Sequence, residues 1–166
     1  MISLKIIDVK AFMSKLLITN TFDHFLLYEL DINTFNHFHI DGKLNKEFYS
    51  NDELEILGER NYSQWSEIKP YAFNIIKGNK LPILIKIVFS LTPENIEKVI
   101  QKSGISMKIE EINGLFMNVR YEKENLYIIT GTSIKTFTLD KTLDQVWDGY
   151  VKSFLKHYEI AAEEVE

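Results

Sequence analysis

Cysteine is absent from this chain of 166 residues, and proline occurs only three times. Without thiols there can be no disulfide scaffold, no cysteine nucleophile and no thiolate-bound zinc or iron–sulfur cluster. Long apolar runs are missing too. No window approaches the roughly 18 apolar residues of a membrane span, and the start, MISLKIIDVK, lacks a basic stretch followed by an apolar one. A cytoplasmic protein without membrane contact is therefore expected. Positive charge is in deficit: 19 Lys and Arg stand against 24 Asp and Glu, for a net charge of −5. The cations are scattered rather than gathered on one face, which disfavours nucleic acid as a partner. Short catalytic signatures are likewise missing. There is no Gly-x-Ser-x-Gly elbow, no dinucleotide fingerprint and no His-Glu-x-x-His helix, and Gly131-Thr132-Ser133 lacks the lysine of a phosphate loop. No cofactor is expected.

What remains is ordinary globular material with many aromatics: 45% hydrophobic residues and 13% aromatic ones, eleven of them Phe. At this length roughly 70% of the unfolded surface can be buried, so residues 1–166 are expected to form a single domain. Residues 3–7 (SLKII) alternate as a strand. Asp8 then caps a helix with Val9, Phe12, Met13, Leu16 and Leu17 on one stripe. Residues 22–32 and 35–41 predict a hairpin turned over Asn33 and Thr34. The polar, acidic stretch 46–61 predicts a surface loop with one short helix. A helix capped by Ser63 follows, carrying Trp65, Ile68, Ala72 and Ile75, with Pro70 expected to kink or restart it before Gly78.

The order then repeats. Residues 84–89 (LIKIVF) predict a buried strand, and Thr92-Pro93-Glu94 opens a helix that stops at Gly104. Strands over 115–121, 125–130 and 134–139 and a helix from about 143 to 158 complete the chain, leaving AAEEVE as a frayed tail. LYELDINTFNHFHID at 27–41 and LYIITGTSIKTFTLD at 126–140 align without a gap on Leu27 with Leu126, Tyr28 with Tyr127, Phe38 with Phe137 and Asp41 with Asp140. Trp65 likewise answers Trp147. The expected fold class is α+β: a mainly antiparallel sheet with helices on one side, built from two βα-hairpin-α halves, 1–80 and 81–160, related by internal duplication.

TFDHFLLYELDINTFNHFHIDGKLNKEF, YSQWSEIKPYAF and NGLFMNVRY with the later LYIITGTSIKTFTLDKTLD resemble a family of small bacterial proteins known only as a domain of unknown function. The resemblance covers nearly the whole chain. It implies a stand-alone bacterial cytoplasmic protein and transfers no catalytic or binding residue. More coarsely, duplicated units of this kind resemble regulatory ligand-binding folds with two βαββ halves, and sliding clamps that encircle DNA. The clamp likeness is the weaker, because Glu94, Glu97, Asp144 and Asp148 lie on the helices that would face DNA.

Three constellations carry potential chemistry. His37, His39 and Asp41 alternate on one strand face, where two imidazoles and a carboxylate could meet a metal. The sister strand uses Thr136, Thr138 and Asp140 there, which favours a solvated face, so no tightly held metal is expected. Asp41 and Asp140 resemble an acid pair, but each stands where a carboxylate commonly satisfies a free backbone N–H. Trp65 and Trp147 could wall a cleft at the seam between the halves, with Tyr28 and Tyr127 adding polar tips, although helix-spaced aromatics are more often core. The function these features favour is a non-catalytic module that binds a small ligand or protein partner at the seam. The alternatives are a metal-dependent enzyme using the histidine strand and, behind it, a clamp-like protein on nucleic acid. Residues 115–121 carry one charge, Arg120, and no proline, so a homodimer is expected in which two copies meet at that strand as a sheet edge, or across the aromatic helix faces.

Overall fold

The computed structural model describes all residues, Met1–Glu166. Strand β1 (Ser3–Ile6) leads into helix α1 (Val9–Leu17), where the Asp8 carboxylate accepts the N–H of Ala11 at 3.0 Å. Strands β2 (Leu26–Asn33) and β3 (His37–Asp41) form a hairpin. The acidic stretch holds the short helix α2 (Asn51–Leu57), and α3 follows at Trp65–Ile76. Strand β4 (Leu84–Ser90) and helix α4 (Pro93–Ser103) come next; Thr92 caps α4 and Gly104, at φ 74°, stops it in the left-handed region. Strands β5 (Ile112–Glu122) and β6 (Asn125–Ile134), helix α5 (Thr142–His157) and strand β7 (Ala162–Val165) complete the chain. No helix is long and apolar enough to cross a membrane.

The seven strands make one antiparallel sheet in the order β3-β2-β4-β5-β6-β1-β7. Because side chains alternate across a pleated strand, each strand sends one set of residues to each face. Leu30 and Ile32, Ile85 with Ile87 and Phe89, Met117 and Val119, Leu126 and Ile128, and Leu4 with Ile6 are all buried. They join one core with Phe12 and Leu16 of α1, Trp65 and Ala72 of α3, Val99 and Ile100 of α4, and Trp147 and Val151 of α5. The opposite face is mixed, with Val88, Phe116 and Ile129 among polar and charged side chains. One row across it runs His39, Asp31, Lys86, Arg120, Tyr127, Lys5, Glu163.

Several expectations need correction. The strand expected over 134–139 does not form: β6 continues through Gly131 to Ile134, because β5 is long enough to pair with it as far as Ile112, and the chain then leaves the sheet. The second hairpin therefore does not exist as expected. The sheet order gives duplication no support either, since β4 lies between β2 and β5 whereas β1 lies between β6 and β7. The strand over 115–121 is central, not an edge, which removes that route to a homodimer. Pro70 neither stops nor restarts α3, and the cap is Gln64 rather than Ser63, whose N–H is taken by Gly42 O. The tail is not frayed: Ile160 is buried and anchors β7 along the free side of β1.

Candidate functional site

Trp65 and Trp147 are both fully buried, so neither walls an open cleft. Each indole N–H finds a carbonyl, Leu16 O for Trp65 and Phe116 O for Trp147, both at 2.8 Å. Burying about 200 Å² of aromatic surface favours folding by about 5 kcal/mol per residue before conformational entropy is set against it. That is a core role for both.

Tyr28 lies elsewhere, on the face of the sheet opposite the core. A bulge between Leu27 and Glu29 turns it out of the regular alternation, and its ring stacks on Tyr62 with centroids 3.8 Å apart and planes 11° from parallel. Phe116 meets the Tyr28 ring edge-on at 5.0 Å. The Tyr28 and Tyr62 rings form one side of a cleft of about 1010 Å³, bounded also by the insertion residues Lys46 and Arg60 and by Ser90, Thr92 and Asn113. Burial, the neighbouring Tyr62 phenol and its hydrogen bond raise the Tyr28 pKa, so its hydroxyl stays neutral at ordinary pH. The cationic rim is fixed in place. Arg60 donates to Glu67, and Lys46 donates to the Arg60 carbonyl. Burial pushes the Glu67 carboxyl up, but Arg60 and the Gln64 N–H outweigh it and hold the pKa below the usual glutamate value. A smaller groove of about 400 Å³ lies between α4 and α5, lined by His24, Lys102, Tyr150 and His157 among others.

Tyr127 is not in the cleft. It sits on the open face between Arg120 of β5 and Lys5 of β1. Position and chemistry thus separate the two tyrosines that the sequence pairs.

His37 and His39 come together on that same face, but with Asp31 rather than Asp41. The hairpin register sets Asn33 opposite His37, Asp31 opposite His39 and Glu29 opposite Asp41. One oxygen of Asp31 accepts from His37 Nε2 at 2.8 Å and from His39 Nδ1 at 2.9 Å. Partial burial pushes the Asp31 carboxyl up, yet the hydrogen bonds from His39 and His37 prevail and its pKa falls below the usual value. The same hydrogen bond and charge raise the pKa of His39. Asp41 instead accepts the N–H of Lys43 at 2.9 Å, a local turn bond. No group of three or more His, Asp or Glu side chains is arranged to hold a metal ion. Asp41 and Asp140 do not meet as an acid pair either, since Asp140 is bound to Thr142.

Sequence reasoning missed Asp31, Tyr62 and Phe116. Asp31 was recoverable: a tight turn between Asn33 and His37 forces it opposite His39. Tyr62 was not, because only the return of the insertion, where Lys43 bridges Tyr62, brings that ring over Tyr28.

No curated protein matches this chain, and no solved structure does. One family matches residues 15–163, from the last turn of α1 into β7, leaving out β1. The chain belongs to that family, described as "Family of unknown function (DUF5721)".

Proposed function

We propose that this protein is a non-catalytic binding module of the bacterial cytoplasm, and that its ligand is a small planar molecule held in the cleft beside Tyr28 and Tyr62. The observation that carries this reading is the stacked tyrosine pair facing a cleft of about 1010 Å³. A volume of that order suits a small-molecule ligand, and a rigid aromatic wall with a few fixed polar groups is how such sites gain affinity and orientation. The cleft also lies between residues of the first half (26–64) and of the second (90–113), the seam at which the sequence leads one to look. Its cations are already engaged, Arg60 by Glu67 and Lys46 by a carbonyl, so the site favours a neutral or weakly charged ring over a polyanion. The bacterial and cytoplasmic parts of the proposal rest on the sequence resemblance and the lack of cysteine.

A fragment screen of planar heterocycles read by protein NMR tests the proposal. The expected result is hits that shift Tyr62, Asn113 and Ser90 and weaken at least tenfold in Tyr62→Ala. Hits that map to the α4–α5 groove, or that bind Tyr62→Ala unchanged, would overturn it.

A further inference from the structure

Strand β3 pairs with β2 on one side only. In this hairpin Gly42 N donates to Tyr28 O and Thr34 N donates to Asn36 O. Those bonds fix the phase of the ladder: the even residues Phe38 and Ile40 direct their N–H and C=O groups at β2, and the odd residues His37, His39 and Asp41 direct theirs away from it. Edges of this kind are normally defended by lysine, proline, a bulge or shortness. Strand β3 has no lysine and no proline, and its register with β2 is regular over all five residues. The opposite edge, β7, is four residues long and carries Glu163 and Glu164.

We infer that the β3 edge is a homodimer interface in which two copies of the sequence His37–Asp41 pair antiparallel about a twofold axis at His39. Only outward-facing residues can exchange bonds, so the partner of an odd residue must be odd. Centring the axis on His39 satisfies this over the full strand. His39 then faces His39 of the partner subunit, and His37 faces Asp41 of the partner subunit. About six N–H···O bonds form along the join. The side chains agree with the backbone. On the open face each imidazole of His37 meets a carboxylate. On the other face Phe38 meets the partner's Ile40, and both are only partly buried in the single chain. Moving the axis by one residue pairs His37 with the partner's His39, or His39 with the partner's Asp41, and shortens the overlap. The self-complementary register is thus also the longest one. Phe35 at the hairpin tip, 86% exposed and edge-on to Phe38 at 5.8 Å, extends the apolar surface beside the join. The axis also brings two His37–Asp31–His39 groups side by side, so that each gains a carboxylate, Asp41, from the other copy.

Because the chain has no cysteine, single-cysteine variants test this cleanly. Residues in a hydrogen-bonded antiparallel pair have Cα atoms about 5.5 Å apart, inside the range a disulfide spans. His39→Cys should become a disulfide-linked dimer under mild oxidation. His37→Cys alone should not, since the twofold sets its two copies roughly 13 Å apart at about 3.3 Å per residue. Mixing His37→Cys with Asp41→Cys should restore cross-linking. By sedimentation at micromolar concentration the unmodified chain should show about twice its mass of 19.5 kDa. His39→Pro, which removes an outward N–H and leaves the β2 ladder intact, should return it to one chain mass at least tenfold above the dimer's dissociation constant. A mass near 19.5 kDa at every concentration up to 100-fold above micromolar overturns the inference. So does a dimer that survives His39→Pro, or cross-linking of His37→Cys as fast as that of His39→Cys. None of these readouts depends on the ligand cleft.

Discussion

Residues 27–41 and 126–140 begin and end alike and fold differently. Leu27 and Leu126 are both fully buried, and the tyrosine after each lies on the open face of the sheet. At the far end Asp41 and Asp140 make the same bond, each accepting the N–H two residues ahead at 2.9 Å. Between these ends the first segment reverses over Thr34–Asn36 and returns as β3. The second runs straight on as β6 and then leaves the sheet. Phe38 and Ile40 consequently pack against the core, whereas their counterparts Phe137 and Leu139 are 85% and 81% exposed. Alternating apolar residues thus license a strand but do not choose its partner. β6 stays extended because β5 offers it partners from Glu122 to Ile112, whereas β2 ends at Asn33, opposite Leu84, where β4 begins.

The sharpest break in the likeness comes one residue beyond it, where Gly42 aligns with Lys141. A Cβ at position 42 would lie 1.7 Å from the Leu27 carbonyl oxygen, a backbone atom that cannot swing aside. That close approach lets the chain leave β3 while Gly42 O takes the N–H of Ser63. Gly42→Ala is expected to destabilise the protein by at least about 3 kcal/mol, since backbone itself must move. Lys141→Ala should change stability by less than about 0.5 kcal/mol, as its only ion pair is a long, exposed one to Asp144. Urea denaturation of both variants checks the contrast, and equal losses would break it.

Much of the fold was legible because hydrophobic period and caps are local. The stripes of α1, α4 and α5, the Asp8 and Thr92 caps and the β2–β3 hairpin follow from residues within a few positions of one another. Strand order is not local. Nothing in SLKII says that its neighbours will be β6 on one side and β7, Ala162–Val165, on the other. The same limit governed the candidate site. His37 and His39 were readable as a pair on one face, and Tyr28 as a polar aromatic. Tyr62, which completes the wall beside Tyr28, and Phe116, which meets the Tyr28 ring edge-on, come from 34 and 88 residues further on in the sequence and reach it only through long-range packing. Trp65 and Trp147 misled for a physical reason: an indole with its N–H satisfied by a carbonyl is as easily buried as exposed, and spacing alone does not say which.

A milder contrast lies in the paired aromatics. Phe38→Ala removes a ring packed against the core and should cost about 1–3 kcal/mol, less than a fully buried phenylalanine would. Phe137→Ala removes a ring that meets mostly water and should fall within about 0.5 kcal/mol of the parent. Thermal unfolding of the two variants decides this. A loss at Phe137 as large as that at Phe38 would mean that the 135–140 segment has a packing role its exposure conceals.

The smallest contrast is in pH dependence, and it runs in opposite directions. In the hairpin His39 is raised by its hydrogen bond to Asp31 and by the charge of that carboxylate. A raised histidine favours the folded state while protonated, so its contribution is complete below the ordinary value of about 6.5 and fades as pH rises through the folded-state pKa. Asp31, held low by the two imidazoles against its partial burial, sets the acid limit: its contribution is lost only as pH falls through the lowered value. The hairpin pair is therefore strongest between those limits. Asp140 is lowered by the Thr142 hydroxyl and N–H, so its contribution is complete above the ordinary aspartate range and does not fade at neutral pH. Raising the pH from about 5 to 8 across the histidine range should thus lower the amide protection factors of β3, after correction for the intrinsic rise of exchange with pH, and leave those of the turn at 140–142 unchanged. In an NMR titration the His39 ring should titrate above the ordinary histidine value of about 6.5, and Asp31→Asn should bring it down. An unshifted His39 in the parent, or no response to Asp31→Asn, would show that the shared carboxylate does not couple to the ring in solution.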